Sequence, residues 1–308
     1  MKLKIVSSVA AALAVFGVGS AAHGSACDVQ CGFLYSGGTY TILSAPGSFS
    51  TTAISVNDKG QIIGTFNNSN GTFSYLYSGG VYTTLSVPTP PIGIDNQGQI
   101  VGTNYLYSGG TYTSLSVPGS FSTTANAVNE NGQIIGTYTD NSGTKYFQYT
   151  AGVYSTISLP GLPGPVSGFN DNGQIAGTYT GKFGSLSGTL GFLYSGGTYT
   201  TIAYADSGYC FPGGCPSITI PKGLNDNGLV VGLYWAGNNF YGFPIGGPPV
   251  SNLCCVSDDG INNLGQIVGV YGVTPEPATL ALFAIGLGAL GLLGWRRKMK
   301  AQAVVALH

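Results

Sequence analysis

A two-part unit recurs along this chain, and its length and turn residues leave few folds open. One part reads Phe33-Leu34-Tyr35-Ser36-Gly37-Gly38-Thr39-Tyr40-Thr41-Ile42-Leu43 and returns at 75–85, 105–115, 147–157 and 192–202, with an eroded copy at 243–253. The other reads Val56-Asn57-Asp58-Lys59-Gly60-Gln61-Ile62-Ile63-Gly64 and returns around 95–102, 129–136, 170–177, 225–232 and 262–269. Six units span residues 33–272, at about 40 residues each. Each part has the pattern of a hairpin. Ser-Gly-Gly between β-prone aromatic segments supplies the positive-φ residues of a tight turn, and Asn-Asp-x-Gly does the same before Gln-Ile-Ile-Gly. Four short strands in about 40 residues make one blade of a β-propeller.

Connection lengths predict which hairpins share a sheet. Only Gly102-Thr103-Asn104 separate Val101 from Tyr105, too few residues to cross between sheets. The second hairpin of one unit therefore joins the first hairpin of the next, and segments such as 116–124 carry the chain between blades. On this register the first hairpin (33–43) lacks a predecessor and the last (261–271) a successor. Pairing them closes a ring of six four-stranded blades and removes the exposed sheet edges; an open solenoid is the alternative. The fold expected is all-β, a six-bladed propeller over residues 27–272. The two motifs together resemble the extracellular repeat of the HAF family. No copy here keeps the histidine of that family's His-Ala-Phe, and the resemblance implies an exported β-repeat with no particular activity.

Both ends of the chain read as transport signals. Met1-Lys2-Leu3-Lys4, an apolar run to Val18 and small residues beyond describe a secretory signal peptide over residues 1–26, cut after Ala22 or Ala26. A retained anchor and a lipoprotein at Cys27 are the rivals. At the other end Pro275-Glu276-Pro277 leads into an uncharged stretch to Trp295, followed by Arg296-Arg297-Lys298. Nineteen residues from Pro277 to Trp295, at about 1.5 Å each, just reach across a hydrocarbon core as one transmembrane helix. The basic cluster holds residues 299–308 in the cytoplasm and everything before Pro275 outside. Residues 273–298 resemble the PEP-CTERM sorting signal of Gram-negative bacteria. The resemblance implies an exosortase, a membrane cysteine protease-transpeptidase that cuts near Pro-Glu-Pro and releases the exterior part toward the cell surface or exopolysaccharide matrix. A permanent single-span anchor is the plainer alternative.

Composition excludes several function classes. The exterior part carries ten acids against Lys59, Lys145, Lys182 and Lys222, a net charge of −6, which argues against nucleic acid and anionic lipid as partners. His23 and His308 are the two histidines of the chain, so the exterior domain has none if the cut follows Ala26 and only a terminal one if it follows Ala22, which excludes a Ser-His-Asp or Cys-His centre and histidine-ligated zinc. No metal or cofactor is expected. Each Asn-Asp-x-Gly turn holds one acid, where calcium takes six to eight oxygens, and turn geometry already explains the residue choice. Asp206 with Asp258 and Asp259 offers a carboxylate couple for glycoside cleavage, although their spacing does not select it. The 20 tyrosines read as cross-strand packing or as a sugar-stacking surface.

The six cysteines suit an oxidising compartment. Cys210 and Cys215 bracket a short loop, while Cys254 and Cys255 bond each other only with strain. If the ring closes, Cys27 and Cys31 approach Cys254 and Cys255, and cross-bonds would staple the closure. The sequence thus points to a non-enzymatic surface or matrix protein binding exopolysaccharide or a matrix protein. A secreted carbohydrate-active enzyme using carboxylates or tyrosine is the alternative.

Overall fold

A computed structural model describes residues 30–158, 165–183, 186–202, 218–236, 239–245 and 256–272. Strands and turns account for their regular structure, with no helix among them. The first hairpin is β1 (Gln30–Ser36) and β2 (Thr39–Leu43). A meander follows: β3 (Ser50–Val56), β4 (Ile62–Asn68), β5 (Gly71–Ser78) and β6 (Val81–Leu85). The next is β7 (Pro91–Ile94), β8 (Ile100–Gly102), β9 (Tyr105–Ser108) and β10 (Thr111–Ser114). Then come β11 (Ser122–Val128), β12 (Ile134–Asp140), β13 (Gly143–Thr150) and β14 (Val153–Ile157). After them are β15 (Val166–Phe169), β16 (Ile175–Phe183), β17 (Leu186–Ser195) and β18 (Thr198–Ile202). The described strands end with β19 (Thr219–Leu224), β20 (Val230–Ala236), β21 (Asn239–Ile245), β22 (Val256–Ile261) and β23 (Ile267–Gly272).

Each meander is one antiparallel sheet, so the second hairpin of a unit does join the first hairpin of the next. The ends of the domain meet. β1 pairs antiparallel with β23, from Gln30 opposite Gly272 to Tyr35 opposite Ile267, giving the order β22-β23-β1-β2. A single parallel bridge, Gln30 to Ser50, links this sheet to β3. The arrangement is β-propeller-like. The residues between β21 and β22, from which a sixth complete blade was expected, fall outside the described residues, as do those expected to form the signal peptide and the transmembrane helix.

The repeat residues explain these contacts. Ser36 pairs with Thr39 across Gly37 and Gly38, whose φ values of 56° and 86° fit the mirror-image turn that matches strand twist. In the second motif two adjacent branched residues face opposite sides of one strand, and each enters a different core. Ile62 packs with Leu43, Ala53 and Val268, whereas Ile63 packs with Leu85 of its own sheet and with Ile94 and Ile100 of the following one. Ile134 and Ile135 divide in the same way, as do Val230 and Val231. Finally Ile267 and Val268 carry the pattern back onto Phe33 and onto Ala53. The apolar core therefore lies between neighbouring sheets.

The glycine after each branched pair lies beneath the aromatic residue of the first motif. Gly136 pairs with Phe147 and Gly177 with Phe192. A Cβ on Gly136 would lie 2.2 Å from the Thr124 carbonyl oxygen and 2.6 Å from the Phe147 ring. The glycine thus makes room for the ring.

Candidate functional site: the axial turns and the cavity beside them

The Asn-Asp-x-Gly turns converge on the axis of the domain. Within a turn, the Asn57 side-chain oxygen accepts the N–H groups of Lys59 and Gln61 at 3.1 and 3.0 Å, while its nitrogen donates to Gln61 Oε1 at 2.8 Å. Asn129, Asn170 and Asn262 repeat the bond to the glutamine. The same amide nitrogen also reaches the next turn. Asn57 donates to the Asp95 carbonyl at 2.8 Å, Asn170 to that of Asn225 at 2.9 Å, and Asn225 to that of Asn262 at 3.0 Å. Asn262 returns to the carbonyl of Asn57 at 2.9 Å. Backbone donors bridge the remaining gaps: Asn96 N–H to the Glu130 carbonyl at 3.3 Å, and Asn131 N–H to Asp171 Oδ1 at 3.2 Å. A closed circuit of hydrogen bonds thus surrounds the axis.

The second residue of each turn lines the mouth of this ring. Asp58 accepts the Asn263 N–H at 2.8 Å and the Asn96 side chain at 3.0 Å. Asp226 accepts the Asp171 N–H at 2.7 Å and the Asn263 side chain at 2.8 Å. Glu130 stands apart, because its Oε2 is buried without a hydrogen-bond partner. Burial first, and then the charges of Asp58, Asp171, Asp226 and Asp95, push its pKa up to about 8. Asp95 sits at the asparagine position, and burial raises its pKa against the N–H groups it accepts from Gln97 and Gln99.

Every innermost strand carries a bulge just before its turn, between Ala53 and Ser55, Pro91 and Gly93, Ala125 and Ala127, Val166 and Gly168, Pro221 and Gly223, and Asp258 and Gly260. Ile92, Ser167, Lys222 and Asp259, the residues those bulges release, help to line an axial cavity of about 60 Å³. That is roughly the liquid volume of two waters. Asp259 accepts the Ser257 hydroxyl at 2.7 Å, and burial raises its pKa to about 6 against the influence of that bond and of Lys222. Asp258 has different surroundings, since it is 1% exposed with both carboxylate oxygens unpartnered. The expected couple joined Asp206 to these two acids. Asp206 lies outside the described residues.

The tyrosines of the first motif pair across the strands. Ring centroids lie 4.9 Å apart for Tyr35–Tyr40, Tyr77–Tyr82 and Tyr149–Tyr154, and 4.8 Å apart for Tyr194–Tyr199. Two Pro-Gly-Ser-Phe loops instead turn a ring outward, with Phe49 46% and Phe121 71% exposed. Both loops are tied in the same way. Ser48 and Ser120 donate to the Ala45 and Val117 carbonyls at 2.7 Å, and each serine hydroxyl meets Thr51 or Thr123 at 3.0 Å. Sequence reasoning missed these loops, although the repeated Pro-Gly-Ser-Phe-Ser-Thr-Thr was visible. Cys31 is fully buried and disulfide-bonded. Its partner lies outside the described residues, as do Cys27, Cys210, Cys215, Cys254 and Cys255. Pro275, Glu276, Pro277, Arg296, Arg297 and Lys298 lie outside them too. No helix among the described residues is long and apolar enough to cross a membrane. Among those residues no group of three or more acids, cysteines or histidines is placed to hold a metal ion.

Comparison with known proteins adds one decisive match. Residues 273–298 fit the model of the PEP-CTERM protein-sorting motif. The motif marks the chain for export, a membrane-anchored intermediate and exosortase processing toward the surface. No curated protein matches the chain. A chain of a nidogen/laminin complex is 10% identical at a TM-score of 0.41, covering 80% of this chain and 100% of that one. A gluconolactonase from Xanthomonas campestris is 11% identical at a TM-score of 0.37, covering 71% and 86%. Likeness at that level carries no argument about function.

Proposed function

We propose that this chain is a surface or matrix protein whose exterior domain, residues 27–272, is a six-bladed propeller with a non-enzymatic binding or structural role. The sorting motif carries the reading of where the domain works. The reading of what it does rests on how the axial carboxylates are used: Asp58, Asp171 and Asp226 accept structural hydrogen bonds from neighbouring turns. Phe49 and Phe121, held outward on identically bonded loops, suit an exopolysaccharide or a matrix protein as the bound partner. The exported domain should be retained on matrix polysaccharide without shortening it, and Phe49→Ala with Phe121→Ala should weaken retention. Equal retention of the double variant would remove these loops from the binding surface.

A secreted carbohydrate-active enzyme remains the second reading, because Glu130 combines an unpartnered buried oxygen and a raised pKa with acidic neighbours, as a general acid requires. Oligosaccharides released by the protein and lost in Glu130→Gln would favour it over the first. The HAF resemblance agrees with either reading. We further assign the partner of Cys31 to Cys254 or Cys255, which directly precede β22 in the closing sheet. Peptide mapping without reduction tests that pairing, and a Cys27–Cys31 bond would refute it.

A further inference from the structure

The innermost strands differ at one position that the repeat should have kept apolar. The residue before the bulge is Ala53, Pro91, Ala125, Val166 and Pro221 in five strands and Asp258 in the sixth. Asp258 lies on β22, the strand that closes the ring with β23 and β1. Its side chain is buried against the neighbouring three-stranded sheet: a Cβ added to Gly242 on β21 would lie 2.6 Å from Asp258 Oδ2. Neither carboxylate oxygen has a hydrogen-bond partner. An ionised carboxylate there is costly, whereas the protonated form costs far less.

We propose that Asp258 makes the closure between β21 and β22 a pH-sensitive seam, tight in acid and loosened toward neutral pH. β22 packs against β23, β20, β21, β19 and β3. Their titratable groups are Tyr271, Tyr234, Tyr241 and Lys222, and β3 has none. Lys222 acts on Asp259, not on Asp258, so no cation among the described residues compensates the buried charge. Burial, and then the charge of Asp259, raise the Asp258 pKa from the usual carboxylate range to about 7. A pKa raised in the folded state means that the closed seam binds a proton the open seam releases. Stability is therefore greatest below the ordinary carboxylate value and is lost as pH rises toward 7, levelling off above it.

Hydrogen exchange of the exported full chain in mild detergent, corrected for intrinsic rates, tests this. Between pH 5 and pH 7, the Asp258 share of the loss of protection in β21, β22 and β23 should reach about tenfold per pH unit, while β17 and β18, which carry no acid, stay protected. Asp258→Asn should remove most of that dependence, leaving the part that Asp259, raised to about 6, contributes, and Asp258→Ala, copying Ala53 and Ala125, should do the same if the amide fails to fold. Asp259→Asn should leave most of the slope in place. An Asp258→Ala chain that folds and keeps the wild-type pH dependence, or loss of protection spread evenly over all sheets, would overturn the proposal.

Discussion

Asn262 shows how much one side chain does here. Fully buried, it closes its own turn and supplies the donor that returns the axial circuit to Asn57. Asp95 occupies the equivalent place without that donor, and its carboxylate is partly desolvated. Asp95→Asn should therefore stabilise the domain by about 1 kcal/mol at neutral pH, by giving the Asn129 carbonyl a donor as Asn57 does for Asp95. The gain should shrink as pH falls, because protonation already relieves the wild-type acid. Urea unfolding at pH 7 and pH 4 measures both effects, and an unchanged midpoint would argue against the donor count. The turn residues could be read from sequence, because Asn, Asp and Gly have local reasons to be there. The circuit between turns could not. It joins residues such as Asn57 and Asn262, 205 positions apart, and nothing local announces it.

At the scale of elements, the hairpins, their sharing of sheets and the pairing of β1 with β23 followed from turn chemistry and connection length. The adjacent branched residues showed a strand but not that each serves a separate core, because a lone strand does not reveal what covers its two faces. The glycine under the aromatic ring is the tightest element-scale constraint. Gly136→Ala should destabilise by about 1–3 kcal/mol or more, since a Cβ meets both the Thr124 carbonyl and the Phe147 ring. Thermal unfolding checks it, and a midpoint equal to wild type would mean that the sheet yields more easily than its packing suggests. The bulges left no sequence signal beyond the repeat itself, so the separate surroundings of Asp258 and Asp259 appeared only in three dimensions. The couple expected between Asp206 and these acids includes a residue outside the described ones.

For the whole molecule, closure through β1 and β23 makes the two ends of the domain interdependent. Leu34 sits opposite Val268 inside that ladder and opposite Thr41 on its other side. Leu34→Pro removes a ladder donor from a strand paired on both edges and should cost about 3 kcal/mol or more. Unfolding should then become less cooperative than in the wild type; a variant melting as sharply as wild type would mean that the closing ladder contributes little. The central claim joins that ring to a delivery route written in residues 273–298. Its most direct test is the fate of the chain in cells with an active exosortase, with Pro275-Glu276-Pro277 intact or replaced by alanines. The intact chain should appear at the surface or in the medium as a form whose mass shows the loss of the segment after the motif. The replaced chain should stay in the membrane at full length. Identical processing of the two would contradict the account.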